Sequence, residues 1–154
     1  MFFTFYTDGQ CKFDDLKNIT QMIMNDISNE DIRIDEYGEH EFETDCKWFN
    51  LVIKDNSKGI KVVSEDYNMK LKFLFWFEIH YVEGNQSEKR MMRTIGKYIS
   101  NLNCNCILFS NNDKPILKRA NGTVLVDNWK INSSEQFPFE DMEMEYAEAH
   151  IVQV

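Results

Sequence analysis

The stretch MKLKFLFWFEIHYV, residues 69–82, decides the fold class of this 154-residue chain. Large apolar side chains alternate along it with mostly polar ones. Alternation with a period of two residues over such a length is typical of a half-buried β-strand. We therefore predict a long strand with one apolar face toward a core and an opposite face that carries Lys70, Lys72, Leu74, Trp76, Glu78 and His80.

Two stretches with helical periodicity lie on either side of this strand. Residues 13–27 place Leu16, Ile19, Ile23 and Ile27 on one stripe. Residues 85–103 begin with Asn85, a good N-cap residue, and carry Glu88 at the reciprocal capping position. Because each predicted helix has a single apolar stripe, each needs an apolar sheet face to cover.

The remaining segments predict further strands. Residues 2–6, 47–54, 60–64, 106–109, 116–118 and 123–126 have strand-like composition, and Asn121-Gly122 is a strong hairpin signal. The predicted fold class is α+β, with two layers: a mainly antiparallel sheet of about six to seven strands and two amphipathic helices packed on one face. The predicted domain spans 1–131. We expect 132–154 to be an acidic C-terminal tail, extended or weakly helical, with Phe137 and Phe139 held against the domain.

The charge is strongly uneven along the chain. The formal net charge is −9, and residues 26–45 hold nine acidic side chains against the single Arg33. Residues 135–148 hold six acidic side chains and no basic one. Nucleic acids and anionic membrane surfaces attract basic proteins, so we expect neither as a partner. An anionic patch for a basic partner explains the asymmetry, and so do two loop segments that only keep the protein soluble.

The sequence contains no recognisable targeting signal or catalytic motif. No secretion signal and no run of about 18 apolar residues occurs, so a cytoplasmic location is expected, with the four cysteines as thiols and with Cys104 and Cys106 buried and structural. No nucleophile, phosphate-binding or zinc-protease motif occurs. We therefore predict no catalytic residue, cofactor or metal ligand. Glu78 and His80 share a strand face, and the alternative hypothesis is a small-ligand or metal-binding domain that uses this pair.

The C-terminal half carries a pattern shared with a known family. The strand FWFEI at 75–79 is followed by a helix with Met91-Met92-Arg93 and then by CILFSNNDKPILKRANGTVLV at 106–126. This resembles the DxxLLxxxxxxxLxRxxGxLxL ending of the Sit-type immunity proteins, although Asn105-Cys106 stands where that family usually has an aspartate. The resemblance implies a bacterial cytosolic protein, not an enzyme, that binds and neutralises a cognate contact-delivered toxin.

The expected partner is thus a cognate toxin domain with a basic surface, since carboxylates can occupy a groove that binds phosphates. Trp76 among polar neighbours is a candidate interface anchor, with burial under the tail as the alternative. The residues that we predict to bind the partner are Asp35, Glu36, Glu39, Glu41, Glu43, Asp45, Trp76, Glu140, Asp141 and Glu143.

Overall fold

A computed structural model describes residues 1–111, 113–131 and 136–154. Its strands are β1 (Phe2–Thr7), β2 (Ile34–Glu36), β3 (Glu41–Asp45), β4 (Phe49–Lys54), β5 (Phe73–Ile79), β6 (Cys106–Ser110), β7 (Lys114–Ala120), β8 (Thr123–Val126) and β9 (Ala147–Glu148). Its α-helices are α1 (Phe13–Ser28), α2 (Lys58–Asp66) and α3 (Gln86–Leu102). None of these helices combines the length and the apolar composition that crossing a membrane requires.

One sheet contains all the strands, in the order β2-β3-β4-β5-β1-β6-β7-β8-β9. Every neighbouring pair is antiparallel except β8–β9. The predicted α+β class and the mainly antiparallel sheet are confirmed. The predicted number of six to seven strands is wrong, because the described residues form nine; β2 and β3 lie in the acidic segment, and β9 lies in the predicted tail.

Two further predictions are corrected by local structure. Residues 60–64, predicted as a strand, belong to α2, where the side chain of Ser57 accepts a hydrogen bond from the Gly59 amide and caps the helix. The predicted long strand over 69–82 is shorter, because only Phe73–Ile79 is paired as β5. The hairpin at Asn121-Gly122 is confirmed: both residues have positive φ, and Ala120 faces Thr123 across the turn.

The two predicted helices lie on the same face of the sheet. Their apolar stripes share a core with inward-facing residues of the central strands, among them Phe5, Phe75 and Phe77. The third helix, α2, lies on the opposite face, so the prediction of two layers with helices on one face only is wrong. There Ile60 and Tyr67 pack with Tyr6, Ile107, Phe109 and Ile151 in a smaller core. Because Tyr6 alternates with Phe5 along β1, the two cores must lie on opposite sides of the sheet.

The chain after residue 135 packs along the body of the protein. Phe139, which we predicted to be held against the domain, is fully buried, and it lies in a short 3₁₀ turn, Phe139–Met142, that packs on α3. Beyond β9, the Ile151 amide donates to Asp127 Oδ2 at 3.0 Å and the Val154 amide donates to the Asp66 carbonyl at 3.0 Å. Residues 132–135, with which the predicted tail begins, lie outside the described residues.

A buried hydrogen bond joins α1 to α3. The hydroxyls of Thr20 and Tyr98 are 2.6 Å apart, and neither residue is accessible to solvent. Burial raises the pKa of Tyr98 well above its ordinary value, so the phenol keeps its proton and can donate. The aromatic ring of Tyr98 also packs edge-on against Phe75, with ring centroids 4.7 Å apart.

Removing one partner of this bond should cost more than removing both. Tyr98→Phe leaves the Thr20 hydroxyl buried without its partner, so we expect the free energy of unfolding to fall by about 1–3 kcal/mol. The double variant Thr20→Val/Tyr98→Phe buries no unpaired hydroxyl, so it should recover most of that loss. Urea denaturation of the two variants measures the difference, and equal losses in both would show that the hydrogen bond itself provides the stability.

Candidate partner-binding surface

The second face of the sheet is only partly covered. The α2 helix and the last residues of the chain lie over β6 and the near end of β1, whereas no helix of the described residues covers β2, β3, β4 and the far half of β5 on this side. We call this uncovered region the open face. It is formed by Asp35, Glu41, Glu43, Asp45, Asn50, Val52, Lys54, Trp76 and Glu78, with Phe2 and Thr4 from β1 at its border.

The strand register explains why these side chains meet. Residues that pair directly across antiparallel strands point to the same side of the sheet. One such row runs from Asp35 through Glu43, Val52 and Trp76 to Thr4. A parallel row runs from Asp45 through Asn50 and Glu78 to Phe2. The open face is thus a direct consequence of alternation in four neighbouring strands.

The β3 strand supplies most of the negative charge. Phe42 and Thr44 point into the core, so Glu41, Glu43 and Asp45 point outward. The same alternation that buries two side chains of β3 therefore lines up three carboxylates on the open face. With Asp35 and Glu78, the open face carries five carboxylates and one lysine, Lys54.

Short polar contacts hold these carboxylates in place. Glu41 pairs with Lys54 at 3.4 Å, and Glu43 accepts a hydrogen bond from the Asn50 side chain at 2.8 Å. Asp45 is 2.8 Å from His80 Nε2, and Asp35 is 2.6 Å from Arg33. Among the described residues, Glu78 forms no ion pair. Exposed ion pairs are weak, about 0–1 kcal/mol each, so a partner can replace them at little cost.

An aromatic pair lies at the border of these charges. Trp76 is 44% exposed and Phe2 is 43% exposed, although both are large apolar side chains. Their ring centroids are 5.7 Å apart in an edge-on arrangement. The alternative prediction, that the tail buries Trp76, is therefore wrong. An accessible aromatic centre with a charged surround is typical of protein interfaces.

The predicted partner-binding residues separate into three groups. Five of them lie on the open face: Asp35, Glu41, Glu43, Asp45 and Trp76. Glu36 lies opposite Phe42, points to the helix side and pairs with Lys17 of α1. Glu39 is exposed between β2 and β3. The other three, Glu140, Asp141 and Glu143, belong to or follow the turn that packs on α3, so the structure does not bring them to the open face.

A cleft of about 450 Å³ adjoins the open face at the β2–β3 turn. Its walls come from the start of α1 and from the hairpin, with Phe13 and Phe42 among the apolar lining and Glu36, Glu39 and Glu41 among the acidic lining. The cleft is also lined by Lys12 and Lys17, and Lys17 pairs with Glu36, so it carries only a small excess of acidic side chains. It adds Glu36 and Glu39 to the residues that one partner could reach.

The sequence did not reveal two residues of this surface. Glu78 was predicted on the polar face of the long strand, as a candidate ligand beside His80, and Phe2 in the first strand, but neither was predicted to bind the partner. In the structure, His80 has Asp45 as its partner, and the described residues contain no group of three or more side chains placed to hold a metal ion. The register that joins Phe2 and Glu78 to the acidic strands depends on pairings between distant segments, which no local pattern shows.

Comparisons of the chain with protein-family models, with curated proteins and with solved structures found no match.

Proposed function

We propose that this chain is an immunity protein, which binds a cognate bacterial toxin domain stoichiometrically in the cytoplasm and neutralises it through the open face. The observation that carries the proposal is the uncovered half-sheet with five carboxylates and one lysine beside an accessible tryptophan. The resemblance of roughly residues 69–130 to the Sit-type immunity proteins supplies the kind of partner. Neutralisation by binding through the open face requires no catalytic residue.

Charge complementarity supports a basic partner. A concentrated negative surface attracts a positive one over about one Debye length, roughly 8–10 Å at physiological ionic strength. Such steering raises association rates by about 10- to 1000-fold over those of uncharged surfaces. A toxin that acts on a nucleic acid needs a basic groove, and an inhibitor whose carboxylates occupy that groove blocks it directly.

The size of the open face indicates how far the contact must extend. Together β2, β3, β4 and the far half of β5 give roughly 60 Å of strand length, which at a spacing of about 4.8 Å covers roughly 300 Å². A stable interface of standard size buries about 800 Å² on each partner. The open face therefore supplies roughly a third of the necessary area, and the remainder has to come from its surroundings. The exposed β2–β3 turn with Glu39 and the adjoining cleft with Glu36 are the nearest acidic surfaces.

The test of this proposal is co-expression with the toxin domain encoded by a neighbouring gene. We expect the two proteins to co-purify, calorimetric titration to give a one-to-one complex, and the toxin's activity to be lost at equimolar ratio. Absence of binding, or binding that leaves the toxin active at saturation, would overturn the proposal. A toxin domain with an acidic surface would contradict the charge argument even if it bound.

A further inference from the structure

We propose that Trp76 is the docking point for an arginine side chain of the partner. The guanidinium plane stacks on the indole, and the guanidinium donates hydrogen bonds to the carboxylate of Glu78. The identity of the partner rests on the proposed function, whereas the arginine site itself rests on the geometry of the open face. Trp76 and Glu78 lie two residues apart on β5, so both side chains point outward from the same strand. Successive outward positions on a strand are about 6.6 Å apart, which is within reach of one guanidinium group.

The surface around Trp76 favours a cation over an apolar ligand. Val52 and Thr4 flank it directly on the neighbouring strands, and Phe2 supports the ring edge-on. Glu43 and Asp45 stand one strand farther out, on β3, so carboxylates outnumber the one lysine among the charged side chains of the open face. An indole face attracts cations through its quadrupole, and nearby carboxylates strengthen that attraction.

Trp48 provides an example, within the same chain, of an indole with cations close to its ring. The guanidinium of Arg90 and the ammonium of Lys47 each lie 4.9 Å from the ring centroid of Trp48. Within the described part of the chain, Trp76 has no cation over its ring, although Glu78 lies next to it on the outward side of β5. The indole of Trp76 therefore has a carboxylate beside it and no cation from the described residues.

Arginine fits this site better than lysine for three physical reasons. Its guanidinium is planar and stacks on an indole, it is more weakly hydrated than an ammonium, and its fork of donors matches a carboxylate such as that of Glu78. Lysine offers only a point charge. The proposal therefore predicts discrimination between two peptides of equal charge, which general attraction to an acidic surface does not give.

The test is an NMR titration of the whole chain with tri-arginine and tri-lysine peptides, both acetylated and amidated. The indole N–H signals of Trp76 and Trp129 are followed together, because Trp129 is 82% exposed and lies outside the open face. We expect saturable shifts at Trp76 with tri-arginine, weaker binding of tri-lysine by about three- to ten-fold, and no shift at Trp129. Glu78→Gln should reduce the arginine affinity by a similar factor.

Two leucine variants complete the design. Trp76→Leu should abolish saturable binding of tri-arginine, read from the backbone amides of β4 and β5, whereas Trp129→Leu should leave it unchanged. Equal affinity for both peptides, or shifts that reach Trp129 equally, would overturn the proposal. The toxin complex separates the two proposals: unchanged toxin affinity in Trp76→Leu would refute the arginine site alone, and peptide binding without any toxin complex would refute the immunity function alone.

Discussion

The Phe139→Ala variant is expected to lose about 3–5 kcal/mol of unfolding free energy, the usual cost of truncating a fully buried phenylalanine. Phe139 has no solvent-accessible surface, and its ring centroid lies 5.0 Å from that of Phe137 and 6.1 Å from that of Tyr146. The turn that carries it packs so tightly on α3 that a β-carbon at Gly96 would overlap the carbonyl oxygen of Met142. Urea denaturation, with the midpoint and the m-value compared to those of the unaltered chain, measures this loss.

The matched control is Trp129→Ala. This side chain is as large and aromatic but 82% exposed, so its removal should change the unfolding free energy by about 0.5 kcal/mol or less. A loss below about 1 kcal/mol in Phe139→Ala would contradict the structure, since it would mean that the turn is not packed on α3 in solution.

Reversing three charges of the open face should have the largest effect on binding. The variant Glu41→Lys/Glu43→Lys/Asp45→Lys replaces the outward row of β3 with cations. We expect its association with a basic toxin domain to be slower by about 10- to 1000-fold at low salt, and the salt dependence of the rate to flatten or change sign. Stopped-flow measurement at several ionic strengths gives both quantities.

A second triple variant makes this experiment decisive. Glu140→Lys/Asp141→Lys/Glu143→Lys changes the net charge by the same amount, but its residues lie at the turn that packs on α3, away from the open face. We expect its association rate to stay within a few-fold of the original. Equal slowing by both variants would show that only the total charge matters and that the open face has no special role. Thermal unfolding of each variant checks that the fold is intact.

Much of the fold could be predicted from local patterns. The alternation in 73–79 and the apolar stripes of α1 and α3 follow from periodicity that few other structures produce. The errors have a common cause, because in both segments the prediction followed the residue composition and not the periodicity. Glu41-Phe42-Glu43-Thr44-Asp45 alternates as a strand should, but its three acids suggested an exposed loop. At residues 58–66, β-favouring Ile60, Val62 and Val63 suggested a strand, although spacing of three and four places Ile60, Val63 and Tyr67 on one helix face.

The candidate surface could be predicted only as separate parts. The sequence indicates acidic segments and a tryptophan among polar residues, but it gives neither the pairing of β3 with β4 nor the place of β1 beside β5. These pairings join distant segments, and a shift of one residue would turn every outward side chain into the core. For the same reason, sequence reasoning treated the two acidic segments as one surface, while the structure separates Glu140, Asp141 and Glu143 from the open face.

Hydroxyl-radical footprinting of the toxin complex tests most directly whether the open face is the binding surface. Free and bound protein are labelled, and oxidation of Trp76, Phe2 and Trp129 is quantified by mass spectrometry. Trp76 and Phe2 are each nearly half exposed in the free chain, so both should be oxidised there and protected in the complex, while Trp129 should be oxidised equally in both states. Undiminished oxidation of Trp76 at saturating toxin would place the interface elsewhere and contradict the account.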